Sequence, residues 1–326
     1  MASASNCALS GFSFPHPNVL NFIGNSFVAS ESSSTLDNMD PSTGACAGTL
    51  PRSNAADVDA AVASARAAFP SWRDTPVEER ALLLERVASL LEANLGALAS
   101  FESADAGKTL AMATTTDIPR AVANLRFFAR AVRTDSEPGA FSMHDAINYA
   151  TRSPLGVVAL ITPWNLPLYL LTWKVAPALV MGNTVVAKPS EITPVTATAL
   201  AAAFSAAGAP PGIFNVVHGL GAEIGTPLTT HPHVRAVSFT GGTLTGRAVA
   251  ASAAPLFKKL SLELGGKNAT IIFADVPVAA AVAAVRASTR TRVRAVPPLK
   301  VASLFLYPPP PSPASGPQGD SRGFHK

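Results

Sequence analysis

After Asp135 the chain changes rhythm, and that rhythm limits its possible folds more than any other feature. Short β-rich runs alternate with Pro-, Ala- and Leu-rich stretches of helical length. The runs are VVALI (157–161), TVVAK (184–188), FNVVH (214–218), AVSFT (236–240) and ATIIF (269–273). Strands that alternate with helices call for an α/β, doubly wound, mainly parallel sheet. Ligands of such sheets bind beyond the carboxyl ends of the strands. Candidate functional residues are therefore sought just after each run.

The first part of the chain reads differently. The opening twenty residues are rich in Ser, Ala, Asn and Pro without periodicity, which predicts a loose terminus. Strand-like segments broken by turns such as DPSTG follow between residues 21 and 50. Asn54 precedes a helical stretch with Val58, Val62, Ala65 and Phe69 on one face. Thr75-Pro76-Val77-Glu78 predicts a second helix start, with Thr75 as cap, Pro76 at the first helical position and Glu78 reaching back. A third helix is expected over 118–132.

With 48% apolar and 14% charged residues, most of the 326-residue chain can bury a core. No apolar run reaches the roughly 18 residues needed to span a bilayer. The first basic residue is Arg52, so the start has no basic leader pattern, and a protein of the cytoplasm with no membrane partner is expected. Two cysteines, Cys7 and Cys46, do not make a disulfide framework or a metal site. The net charge of +4 is unevenly placed. From Arg286 onward seven basic residues face one acidic residue, so that segment carries +6 and the preceding 285 residues carry −2. A near-neutral body argues against nucleic acid as partner.

Five segments can carry chemistry, and each has a plainer reading beside it. TPWNLPL (162–168) follows a strand, and its Asn165 can donate a hydrogen bond to a developing oxyanion; it can equally be a Pro-fixed turn whose Asn caps the next helix. KPSEITP (188–194) sets Lys188 and Glu191 three residues apart, able to hold ribose hydroxyls; Ser190 or Glu191 could instead cap a helix. GLGAEIG (219–225), with Gly221 as its second glycine, is one residue off a dinucleotide fingerprint and could be a tight turn. FTGGTLTG (239–246) lets backbone approach a pyrophosphate at a helix N-terminus. LELGGKNA (262–269) places Glu263 before two glycines, where it could act as a general base toward water or simply mark a corner.

Taken together and in this order, these segments resemble the aldehyde dehydrogenase superfamily over roughly residues 20 to 285. LELGGKNA is similar to the family's glutamate signature, and TPWNLPL and KPSEITP to its asparagine and ribose segments. WNLPLYLLTWK and NYATRSPLGVVALITPWN look most like the branch acting on muconic semialdehydes and retinal-type substrates. The resemblance implies an oxidoreductase that converts an aldehyde to a carboxylic acid with NAD through a cysteine-bound thioester. It implies Asn165 as oxyanion donor and Glu263 as base. Lys188 and Glu191 would hold the adenosine ribose, with the Glu191 carboxylate favouring NAD over NADP. Ile161, Thr162, Pro163 and Trp164 would line the cofactor cleft. Gly221, Phe239, Thr240, Gly241, Gly242, Gly246 and Leu264 would complete the cofactor site, with no metal. Family members are homo-oligomers.

Two departures accompany the resemblance. Gly242 stands where the family usually has Ser. More seriously, the family's nucleophilic cysteine lies some thirty-odd residues after the glutamate, where this chain reads RAVPPLK and has no cysteine. The expected layout is a loose terminus over 1–20, an NAD-binding domain over 21–136 and 154–262, and an oligomerisation hairpin over 137–153. The start of a catalytic domain would span 263–285, and an unrelated, disordered Arg- and Pro-rich tail 286–326. A shifted reading frame or retained intron would explain the change near residue 286. The alternative is a non-catalytic NAD-binding protein or one subunit of a hetero-oligomer.

Overall fold

The computed structural model describes residues 6–9, 11–134, 141–266, 271–273, 275–289 and 305–307. They belong to two compact units, Met1–Gly265 and Gly266–Lys326. In the first unit the strands are β1 (Asn6–Leu9), β2 (Phe12–Pro15), β3 (Asn21–Ile23), β4 (Ser26–Val28), β5 (Thr35–Met39), β6 (Cys46–Pro51), β7 (Phe141–Met143), β8 (Ala146–Asn148), β9 (Val157–Ile161), β10 (Thr184–Lys188), β11 (Phe214–Val216), β12 (Val234–Thr240) and β13 (Lys259–Glu263). The helices are α1 (Ala55–Asp74), α2 (Val77–Ala93), α3 (Leu95–Ala106), the single turn α4 (Leu110–Met112), α5 (Ile118–Thr134), α6 (Pro167–Val180), α7 (Val195–Ala206), α8 (Gly221–Thr230) and α9 (Thr243–Ala253).

The main sheet has seven strands in the order β13-β12-β9-β10-β11-β3-β4. The pairings among β13, β12, β9, β10 and β11 are parallel, and β3 and β4 continue the sheet antiparallel. The chain winds outward from β9 through β10 to β11, then returns to the other side of β9 for β12 and β13. The strand order thus reverses between β9 and β12, which makes that boundary the topological switch point.

Both faces of this sheet are covered, so its central strands are apolar at nearly every position. On one face Val157, Ala159, Val186, Val237 and Phe239 pack with Val58, Val62 and Ala65 of α1, Ile224 and Leu228 of α8, and Val249 of α9. On the other, Val158, Leu160, Val185 and Ala187 pack with α2, α3, α5, α6 and α7 through residues such as Leu84, Leu98, Leu125, Leu171 and Leu200. Successive residues of β9 and β10 alternate between the two cores, as the two-residue period of a strand requires.

Several sequence expectations are corrected. The terminus expected to be loose over 1–20 instead holds the β1–β2 hairpin, with Phe14 buried at 1% exposure and stacked edge-on to Phe101 at 5.5 Å. Serine-rich composition hid two aromatic residues spaced to face one side of a strand. Thr75 does not cap α2. It ends α1, its hydroxyl donates to the Ser71 carbonyl, and Pro76 takes the N-cap position of α2 without a side-chain cap. Asn54 does cap α1, reciprocally with Asp57. KLSLE, not ATIIF, supplies the fifth parallel strand.

Helix α3 carries a buried polar cluster that composition does not announce. Lys108 donates to Asp117 at 2.6 Å and lies 4.0 Å from Glu102. Asp117 ends a π-helical turn, Ala113–Asp117, that joins α4 to α5. Burial pushes the Glu102 carboxyl up to about 7, opposed chiefly by Lys108, and pushes Asp105 up to about 6.

The second unit contains β14 (Ile271–Phe273), α10 (Val278–Thr289) and β15 (Phe305–Tyr307), with β14 and β15 paired in parallel. The tail expected to be disordered from 286 therefore includes the end of α10 and one short strand; its other residues lie outside those described. Among the described residues no helix is long and apolar enough to cross a membrane.

Two outcomes follow. Phe14→Ala removes a buried ring and should lower unfolding stability by about 3 kcal/mol, read as a shift in urea midpoint; a change within error would mean that the hairpin is dispensable. The raised Glu102 carboxyl gives a signed pH effect. The unfolded chain releases this proton near 4.5 and the folded chain near 7, so stability falls as pH rises through that window and levels above it. Glu102→Gln should reduce the fall by about 2 kcal/mol between roughly pH 5 and pH 7.5, measured by urea denaturation at both values.

Candidate active site

The register of the parallel strands brings the candidate residues to one row. Lys188 pairs with Ile161 across β10 and β9, Phe239 pairs with Ile161 across β12 and β9, and Thr240 pairs with Glu263 across β12 and β13. Four strands thus end level at their carboxyl edge, astride the switch point. Two further bonds carry the ladder past the strand ends, from Thr162 N–H to the Lys188 carbonyl at 3.2 Å and from Gly241 N–H to the Glu263 carbonyl at 3.0 Å.

Thr162 is buried, Pro163 and Trp164 are half-buried, and Asn165 is exposed. Pro163 and Pro167 stiffen this turn on either side of Asn165. Helix α6 starts at Pro167 with Leu166 in the cap position and no side-chain cap. Asn165 is therefore not spent on capping, and its amide is exposed at the end of β9.

Lys188 is buried at 3% exposure, an unusual place for an ammonium. Its Nζ donates to Glu191 Oε2 at 2.8 Å and to the Pro189 carbonyl at 2.9 Å. Burial lowers its pKa, and the Glu191 carboxylate acts the other way. The pair presents a fixed donor beside an acceptor, the geometry for two vicinal hydroxyls. Neither Ser190 nor Glu191 caps α7, whose cap position is Pro194.

Gly221 opens α8 and Gly242 is the cap residue of α9; neither helix start has a side-chain cap, and both glycines are exposed. Uncapped first-turn N–H groups with the positive end of the helix dipole suit a phosphate. Gly241 lies so close to the Phe239 ring that an added Cβ would meet it at 2.5 Å. Gly246 is likewise pressed by the side chain of Leu264, which is itself 42% exposed. Glu263 is exposed at the end of β13.

Three residues at this site escaped the sequence reading. Lys174, buried in α6, donates to Ser238 of β12 at 2.8 Å. Burial lowers its pKa to about 8, against the attraction of Glu263. Its signal was a lone charge in the apolar run PLYLLTWKVAPALV. His218 is fully buried beyond β11, bonded to the Thr198 hydroxyl at 3.1 Å. Burial and then the Lys188 charge hold its pKa near 3, so it is neutral. Arg52 clasps Glu223 in the first turn of α8 through both Nε and Nη2.

A doubly wound parallel sheet with the Lys188–Glu191 pair, uncapped glycine-led helix starts and the Glu263 carboxylate along its switch-point edge is the framework of a dinucleotide-dependent class of protein. The aldehyde dehydrogenase family model matches residues 27–291, and the chain belongs to that family. It is 50% identical over 260 residues to 2-aminomuconic semialdehyde dehydrogenase of Bos taurus, covering 79% of this chain and 53% of that protein. It is 46% identical over 264 residues to 2-hydroxymuconic semialdehyde dehydrogenase of Pseudomonas sp. (strain CF600), covering 79% and 54%. A mutant aldehyde dehydrogenase C of Pseudomonas syringae, solved with NAD+ and octanal, superposes with a TM-score of 0.78 at 38% identity, over 82% of this chain and 54% of that one. The chain spans about half the length of the curated relatives it matches.

Gly242→Ser tests the reading of the α9 start. An added Cβ there meets nothing within 4 Å, and the backbone at φ −68° and ψ 148° already has cap geometry. The serine hydroxyl should cap α9 and raise stability by a few tenths of a kcal/mol, roughly 0.3, seen as a higher urea midpoint. A lower midpoint would show that this start needs glycine.

Proposed function

We propose that this chain is the NAD-binding portion of an aldehyde-oxidising enzyme of the cytoplasm. The observation that carries this is the level row of strand ends, which puts Lys188–Glu191, the uncapped α9 start and Glu263 on one edge of the sheet. The Lys188–Glu191 pair would hold the adenosine ribose hydroxyls, and the α8 and α9 starts would face the pyrophosphate. NAD, when bound, accepts the hydride of the oxidised carbonyl. Asn165 would donate its side-chain amide to the developing oxyanion. Glu263 would take a proton from the water that releases the acid product. Lys174, wedged between α6 and β12, would supply positive charge near Glu263. Nothing in this set requires a metal. The aldehyde substrate class is that of the muconic semialdehyde relatives, and the β7–β8 hairpin is assigned to homo-oligomer contacts.

A second reading rests on the thiols. Within these 326 residues the cysteines are Cys7 and Cys46. Cys46 lies in β6, in a two-stranded sheet with β5, and its Sγ donates to the Gly48 carbonyl. Without a nucleophile at the row of strand ends, the chain by itself binds cofactor and does not turn over aldehyde.

The purified chain titrated with NAD by calorimetry should bind it in preference to NADP, and a semialdehyde added with NAD should give no NADH absorbance. Absence of nucleotide binding, or preference for NADP, would overturn the assignment. Turnover would overturn the second reading alone. Glu191→Gln, which removes the charge facing a 2′-phosphate, should lower the preference for NAD over NADP at least roughly ten-fold.

A further inference from the structure

The ribose loop has no anchor of its own where it enters α7. Pro194 occupies the cap position, and no side chain of the loop caps the first turn. The anchor comes from α3 instead. Asp105 Oδ2 accepts from the Val195 N–H at 3.0 Å, and Glu102 Oε2 accepts from the Thr196 hydroxyl at 2.6 Å. Asp105 is itself fixed by the Asn38 amide at 2.7 Å. Asp105 thus takes an orphan N–H of the α7 start and Glu102 the hydroxyl beside it, both acidic side chains lying at the positive end of the helix dipole. Each lies among apolar packing, Glu102 at 0% and Asp105 at 6% exposure, where an unmade hydrogen bond is costly.

The path from this anchor to Lys188 is short and stiff. Only residues 189–194 separate Lys188 from the first residue of α7, and prolines stand at both ends of that segment. A turn in between, with Ser190 accepting from Ile192 N–H at its hydroxyl and from Thr193 N–H at its carbonyl, leaves little slack. Glu191 lies four residues before Val195, so a displaced first turn of α7 displaces Glu191 and its bond to Lys188.

We propose that Glu102, with Asp105 beside it, is a positioning residue of the cofactor site: from α3 it latches the first turn of α7 and so holds Lys188 and Glu191 at the ribose. This rests on the NAD-binding reading above. The latch needs an acceptor at Oε2 rather than a charge. A glutamine at 102 keeps that acceptor for Thr196, whereas alanine leaves Thr196 and part of the Lys108 ammonium without a partner.

Glu102→Ala, Glu102→Gln and Thr196→Val test this in the full chain, the last removing only the hydroxyl from the pair. Calorimetric titration gives affinities for NAD and NADP, and amide hydrogen exchange without nucleotide gives local order. Glu102→Ala and Thr196→Val should each weaken NAD binding about ten-fold, narrow the preference over NADP, and speed exchange at 190–196 while the far end of α7 keeps its protection. Glu102→Gln should restore all three. The latch is overturned if the variants leave the NAD to NADP ratio and loop exchange unchanged, if they weaken both nucleotides equally, or if glutamine fares no better than alanine. Should Glu102→Ala fail to fold, Thr196→Val decides. If the unmodified chain binds no nucleotide, the NAD reading fails, and the exchange measurements alone decide the latch.

Discussion

The hydrogen-bonded register of β9 with its two parallel neighbours is the constraint on which this protein depends. It pairs Ile161 with both Lys188 and Phe239, and β12 then pairs Thr240 with Glu263. A slip of one residue on β10 would turn Lys188 from one core to the other and leave Glu191 without its cation. The site is thus a by-product of backbone pairing: residues up to a hundred positions apart become neighbours because their strands end at the same level. The reversal of winding beside β9 opens the crevice above that row.

Around the row, the protein buries charge beside specific partners, although Glu102 Oε1, Asp117 Oδ1 and His218 Nδ1 are buried without a hydrogen-bond partner among the described residues. Lys188 is bonded to Glu191, Lys174 to Ser238, Lys108 to Asp117, and Asp105 to Asn38 and the α7 backbone. Each group is expensive to remove from water and contributes only if its geometry is kept. That makes these groups poor general stabilisers and good fixers of position. His218 is kept neutral by burial and by the nearby Lys188 charge, which leaves a single cation in that buried region. The carboxylates of α3 extend this logic to the first turn of α7.

Much of the site was legible before any coordinates. As candidates, Lys188 and Gly242 stand at or just past the ends of expected strand runs, whereas Glu191 and Glu263 stand out through their motifs and the family resemblance. Lys174, His218 and Glu102 could not be picked out, because their roles come from partners 64, 20 and 94 residues away. The early segments misled for a related reason. Thr75 has the right spacing to cap α2, yet α1 runs on to Asp74 and takes its hydroxyl. The first hairpin lies in a Ser-rich stretch without periodicity, and the neighbouring Phe101 shows why Phe14 holds it down.

By itself the sequence determined the fold class, the order of the chemical segments along the chain and the family to which they belong. These follow from apolar runs, glycines and prolines acting over a few residues. The tertiary structure decided which strand is the fifth member of the parallel sheet, that Asn165 is not consumed as a cap, and that the start of α7 is bonded from α3. Such outcomes depend on which of several competing partners reaches a donor first in three dimensions. Local propensity ranks the competitors only weakly, and packing against distant segments settles the choice.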